Sequence, residues 1–276
     1  MFLKVIILAI LVATATASRP HRGYVVPLFD TRLNGGSEVL QPEFPWLVSL
    51  QWGWLFGYSH FCSGAIVNDR WILTAGYCAL SVPEYGDFIV KAGKTNLRLV
   101  ENSEQTVGVE KIIVHEKYNG DVSTYDIALL KLSRPLVLNG YVKAIDFMKS
   151  SAVVCTNATL AGWGSTSRTS NLILLDRLQK AVLPLIDIPT CRKYLEALVG
   201  PSSLDASNVC TGPLSGGFSP YNGDTGGPLV FMNGTIPQLL GLVSWGIFPT
   251  GVAGAPMIYT RVFNFIDWIN TVIAKN

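Results

Sequence analysis

Gly64-Ala65-Ile66-Val67-Asn68-Asp69-Arg70-Trp71-Ile72-Leu73 holds two short apolar runs with turn residues between them. Trp46-Leu47-Val48-Ser49-Leu50 precedes it, Lys111-Ile112-Ile113-Val114 and Ile127-Ala128-Leu129-Leu130 follow, and similar runs recur from Thr159 to Tyr259. Many short runs of β-branched and aromatic residues, separated by turn signals, predict an all-β sandwich or barrel. Two helices interrupt the pattern. One is expected near 187–198, where Asp187 is a capping residue and Pro189 falls in the first turn. The other is expected over about 262–273, where Val262, Phe265, Ile266, Ile269, Val272 and Ile273 share one helical face.

The composition excludes several classes. With 276 residues, 49% hydrophobic and 14% charged, the chain has too much to bury and too little charge for disorder. No G-X-Y period and no heptads are present, against collagen and coiled coil. The length suits one large domain or two small barrels sharing a core. A net charge of +2 offers no field for nucleic acid.

Residues 1–17 read as a signal peptide. Lys4 precedes the apolar run Val5 to Val12, and Ala15-Thr16-Ala17 supplies an A-x-A cleavage site. The run is too short to span a bilayer, cleavage is preferred over a signal anchor because the A-x-A follows the core at the right distance, and no membrane association is expected. Residues 18–32, with Arg19, Arg22 and Arg32, read as a pro-segment. An exported chain can pair its cysteines. There are five, Cys62, Cys78, Cys155, Cys191 and Cys210, so one is left over. Asn157-Ala158-Thr159 and Asn233-Gly234-Thr235 are glycosylation sequons.

Seven segments, in order, resemble the trypsin/chymotrypsin family of serine proteases. They are Arg32-Leu33-Asn34-Gly35-Gly36, Phe61-Cys62-Ser63-Gly64, Trp71 to Ala75, Asp126 to Leu132, Gly162-Trp163-Gly164, Gly223-Asp224-Thr225-Gly226-Gly227-Pro228-Leu229 and Val243-Ser244-Trp245-Gly246. The resemblance covers 33–276. It implies two packed six-stranded antiparallel β-barrels, about 33–145 and about 146–260, followed by the C-terminal helix. It also implies disulfides Cys62–Cys78 and Cys191–Cys210, leaving Cys155 as a buried thiol or an intermolecular partner. Arg32-Leu33 matches the activation cleavage point, and Asp224 matches the carboxylate that receives the new amino terminus. Gly223 and Thr225 match the oxyanion amides.

The family's chemistry needs a hydroxyl nucleophile, an imidazole base and a buried carboxylate. By resemblance, the histidine position holds Tyr77, the serine position holds Thr225, and only Asp126 is retained. A phenol has no basic nitrogen, and with a pKa of about 10 it is un-ionised at neutral pH. Threonine's extra methyl stiffens χ1 and crowds the line of attack. His21, His60 and His115 lie outside catalytic motifs and read as surface or structural residues. At the specificity pocket, Ser219 stands at the base and Met257 replaces a wall glycine, where it is expected to fill the space. Tyr221 replaces a cysteine whose partner is also missing. Ser244, Trp245 and Gly246 retain the strand that pairs with an extended peptide.

In calcium-binding relatives the segment around 94–104 supplies carboxylates. Glu101 and Glu104 match two of them, but the first position is Lys94. Its ammonium either takes the cation's place or belongs to a solvated charge trio, and both readings exclude calcium. No cofactor or metal is expected. The expectation is a secreted, monomeric, non-catalytic protease homologue that binds a protein partner, such as a protease, an inhibitor or an extended peptide segment. The alternative is a weak serine-type hydrolase using Thr225. Tyr77 is expected to place its hydroxyl near Asp126.

Overall fold

A computed structural model describes residues 36–55, 57–120, 122–150, 157–164, 174–217, 219–220, 222–248 and 251–276. The expectations for the signal peptide, the pro-segment, Arg32, Leu33, Cys155 and Tyr221 lie outside the described residues.

Six strands close the first barrel. They are β2 (Leu47–Trp54), β3 (Gly57–Ile66), β4 (Trp71–Thr74), β5 (Asp87–Ala92), β6 (Gln105–Val114) and β7 (Ala128–Leu132), paired antiparallel in the order β2-β3-β4-β7-β6-β5. A second closed set of six follows: β9 (Asn157–Gly162), β10 (Gln179–Ile186), β11 (Asn208–Thr211), β12 (Pro228–Asn233), β13 (Ile236–Gly246) and β14 (Met257–Arg261). Its order is β9-β10-β11-β14-β13-β12, with β12 returning to β9. Two short strands lie outside these rings. β1 (Ser37–Glu38) pairs with β10, and β8 (Asp146–Phe147) runs parallel to β13. The expected pair of six-stranded barrels is therefore present.

The strands form because their apolar residues have somewhere to go. On β10, Ala181 and Leu183 are buried while Val182 between them is exposed, the period of two expected of a half-buried strand. Val48, Leu50, Val90, Val107, Leu130 and Leu132 fill the first barrel. Leu160, Leu183, Leu229, Val243 and Tyr259 fill the second. A third cluster joins Trp71, Leu73, Ile127 and Leu129 from the first barrel to Val230, Leu239 and Leu242 from the second, with Val262, Phe265 and Ile269 closing it. The cleft lies across this junction.

Three α-helices are described. α1 (Gly76–Leu80) went unanticipated: it is five residues long and Ala75 provides no side-chain cap. α2 (Ile188–Val199) starts as expected, with the Asp187 carboxylate accepting from the Thr190 amide at 2.8 Å. The helix expected over 262–273 is divided. Val262–Phe265 is a 3₁₀ turn, and α3 spans Ile266–Lys275. None of the described helices is long and apolar enough to cross a membrane.

Candidate active site

The Gly223–Leu229 segment enters β12 through a tight turn. The Gly223 carbonyl accepts from Ser63 Oγ at 2.9 Å, and the Thr225 carbonyl accepts from the Ser63 amide at 2.8 Å. The Gly226 amide donates to Val243 at 2.8 Å. Gly226 has φ +79°, and a Cβ there would lie 2.1 Å from Thr74 Oγ1, so a side chain is excluded both by strain and by space. The Cys62–Cys78 disulfide abuts this turn, with the Cys78 sulfur 3.4 Å from the Thr225 carbonyl. Asp224 is buried and accepts from the Gly164 amide at 2.8 Å. Its carboxylate lies where side chains at Gly162 and Gly164 would otherwise stand, each Cβ falling 1.9 Å from an Asp224 oxygen. The Gly162-Trp163-Gly164 motif thus has a steric cause.

Asp126 is buried at the junction of the barrels. Its carboxylate accepts from the Tyr77 amide at 2.8 Å and from Ser244 Oγ at 2.5 Å. The Gly76 amide and the Tyr118 hydroxyl also favour its ionised form. A carboxylate offers about four acceptor sites, and the Tyr77 amide and Ser244 hydroxyl occupy two of them. Burial raises the Asp126 pKa above its ordinary value, while these four groups pull the other way.

The expected contact from the Tyr77 hydroxyl needs correction. Asp126 takes the Tyr77 amide, while the Tyr77 side chain is 54% exposed on the cleft wall. The phenol that reaches the carboxylate belongs to Tyr118. Gly76 makes room for it: a Cβ there would lie 2.6 Å from the Tyr118 ring. Sequence reading missed both residues. They are far apart in the chain, and a missing methyl has no local signature.

Neither described histidine serves this cleft. His60 is buried behind the Gly223 turn, bonded to Ser49 Oγ at 2.8 Å and to the Gly223 carbonyl at 3.0 Å. A carbonyl only accepts, so Nε2 carries the proton and Nδ1 accepts from Ser49. Burial pushes the His60 pKa down to about 4. His115 is packed among Tyr125, Phe265 and Trp268, and burial lowers its pKa too. Tyr125, which precedes Asp126, holds a left-handed backbone with φ +66°, a strained setting for a residue with a side chain.

The family profile described as Trypsin matches residues 33–269. The chain is 35% identical over 249 residues to "Trypsin I-P1" of Gallus gallus, covering 90% of this chain and 91% of that protein. It is 34% identical over 247 residues to "Trypsin" of Sus scrofa (90% and 98%) and 36% identical over 242 to "Trypsin-1" of Astacus astacus (85% and 97%). The chain belongs to the trypsin family.

A cleft of about 470 Å³ reaches from Tyr77, Tyr118 and Asp126 past Thr225 to Ser244, Trp245, Gly246 and Met257. Met257 is 7% exposed. Its sulfur would lie 2.5 Å from a Cβ on Gly246, so it spans to the facing strand and rests on the bare backbone there. Ser219 is half-buried, bonded to the Pro220 carbonyl at 3.4 Å, and is not among the residues lining the cleft.

The remaining sites are spread over this trypsin-family frame. The disulfides Cys62–Cys78 and Cys191–Cys210 are both formed, with Cα separations of 6.1 and 6.3 Å. Asn157 opens β9 and Asn233 closes β12, both exposed. At the segment around 94–104, Lys94 Nζ lies 2.5 Å from Glu104 and 2.7 Å from the Leu99 carbonyl, and Lys91 pairs with the other Glu104 oxygen at 2.6 Å. Burial works to raise the Glu104 pKa, but the two ammonium groups override it and hold the carboxyl below its ordinary value. Glu101 instead takes the amides of Thr95 and Asn96 at 2.7 and 2.9 Å. This donor set does not fit calcium, because Glu104 and the Leu99 carbonyl already hold a buried ammonium and Glu101 is taken up by backbone amides.

Proposed function

We propose that this trypsin-family chain is exported and binds an extended segment of a protein partner, such as a protease or an inhibitor, without cutting it. One observation carries the reading: the Asp126 carboxylate is held by the Tyr77 amide and Ser244 Oγ with the Tyr118 phenol favouring its ionised form, and no imidazole among the described residues reaches it. In a working triad one of those donors is an imidazole that also takes the nucleophile's proton. A phenol bound to Asp126 cannot take that proton at neutral pH. Thr225 therefore stands in an ordered turn with no imidazole among the described residues to serve it. The strand from Ser244 to Gly246 borders the same cleft and suits pairing with an extended segment. Met257 lines the cleft beside Gly246 and takes up space there, which favours a segment entering with a small side chain or none. Export is supported by Lys4, the apolar run and Ala15-Thr16-Ala17. With Arg32-Leu33 uncleaved, the chain has the form of a zymogen.

A fluorophosphonate probe tests the reading on protein cleaved at Arg32. No labelling at Thr225 is expected. Stoichiometric labelling there would overturn it in favour of a weak hydrolase, the alternative that the retained Asp126 and the ordered turn favour. Pull-down from the native fluid, with and without a peptide competitor for the cleft, identifies the partner.

A further inference from the structure

The tip of the β2–β3 hairpin and the loop before β5 make one aromatic surface. Trp54, Leu55, Tyr58 and Tyr85 are between 45% and 74% exposed. The Tyr85 ring meets Trp52 edge-on at 5.3 Å and Trp54 at 6.0 Å, and Trp52 Nε1 donates to the Tyr85 carbonyl at 2.8 Å. The Tyr58 hydroxyl donates to Asp87 at 3.1 Å. The backbone beneath is closely fitted. Gly86 holds φ +82°, and a Cβ there would lie 2.6 Å from the Gly53 carbonyl. The rings are thus set in place before any partner arrives, which lowers the ordering cost of docking.

Charge gives the partner's sign. Residues 52–59 and 81–87 contain Glu84 and Asp87 and no Lys or Arg, and both acids are exposed. Exposed, clustered Trp and Tyr are the side chains that dominate protein interfaces. They are also the faces on which a guanidinium stacks, and Arg suits such stacking better than Lys. Two carboxylates with no Lys or Arg in their own two segments would be repelled by an anionic membrane.

We propose that this surface docks an arginine-bearing segment of a protein partner, with the guanidinium on Trp54 and Tyr85 and its charge met by Glu84 and Asp87. The site is separate from the cleft and does not depend on whether the cleft cuts.

The test is fluorescence anisotropy of the whole protein with a labelled (Arg-Gly)5 peptide, against the same peptide carrying citrulline for arginine. Binding of the arginine peptide alone, weakened by added salt, is expected. Trp54→Ala and Tyr85→Ala should each weaken it about 2- to 5-fold, and together on the order of tenfold. Glu84→Gln with Asp87→Asn should remove most of the salt dependence. Far-ultraviolet circular dichroism matching the parent protein excludes misfolding of the variants. Equal binding of the citrulline peptide, no binding, or full binding by the Trp54→Ala/Tyr85→Ala variant would overturn the proposal. Trp54-dependent binding to phosphatidylcholine vesicles without binding to the arginine peptide would also overturn it, in favour of a membrane contact.

Discussion

The Tyr118 hydroxyl that favours ionised Asp126 sets how hard it is to rebuild catalysis. Tyr77→His with Thr225→Ser supplies a base and a nucleophile, but the new imidazole must compete with the Tyr118 hydroxyl for the carboxylate. This double variant should react slowly with a small fluorophosphonate and cut peptides poorly. Adding Tyr118→Phe frees one acceptor site, and the labelling rate should rise about tenfold or more, the worth of one hydrogen bond to a charged group. Adding Met257→Gly should raise peptide cleavage more than labelling, because it opens the place where a substrate side chain anchors. A double variant that already cuts peptides as fast as ordinary trypsin-family members would remove both arguments. At this scale the sequence was legible where residues are neighbours in a motif. Tyr77, Thr225 and Met257 could be read in place. The roles of Tyr118, Gly76 and His60 could not, because each depends on a contact made only after the barrels close.

Elements show the same division. Strand runs and the α2 cap were legible because their signals are local: alternation on β10, and a carboxylate three residues ahead of the Thr190 amide. The start of α3 was not, because Val262–Phe265 lies on the apolar face of the helix in sequence and yet is a 3₁₀ turn packed into the barrel junction. That junction makes Ile269 decisive. It is fully buried, and Ile269→Ala should cost about 2–5 kcal/mol, read as a drop in urea midpoint at unchanged slope. The segment around 94–104 depends on one cation in the same way. Lys94→Met would strip Glu104 of one partner and the Leu99 carbonyl of its donor. It should cost roughly 2–3 kcal/mol, below the 3–5 of a wholly uncompensated charge because Lys91 remains. Limited proteolysis should then cut first between 94 and 104. Unchanged protection would show that Glu101 and the backbone suffice.

For the whole molecule, acid is the informative stress. His60 titrates near 6.5 when unfolded and near 4 in the fold. Between those values the unfolded chain binds the extra proton, so stability is complete above about pH 6.5 and falls by up to about 3 kcal/mol as pH drops to 4. Glu104, held low, adds a further loss beneath its ordinary range. Asp126 works in the opposite sense, since its raised pKa lets the fold bind a proton that the unfolded chain releases. Urea unfolding across pH 7.5 to 4.5 should show the decline, and His60→Gln should flatten it. An equally steep decline in that variant would move the cause elsewhere. The two-barrel architecture itself was legible only through ordered motifs, since alternation predicts strands but does not say which strands close a ring. Nor did it show how the ends of the described chain are shared out. Ser37 and Glu38 pair with β10 in the second barrel, while Asn276 is held by Lys111 and Lys131 on β6 and β7 of the first. Tension applied between those ends would therefore load each barrel from the end that belongs, by sequence order, to the other. The molecule is laced rather than strung, and pulling it apart should produce one rupture where two beads on a thread would give two.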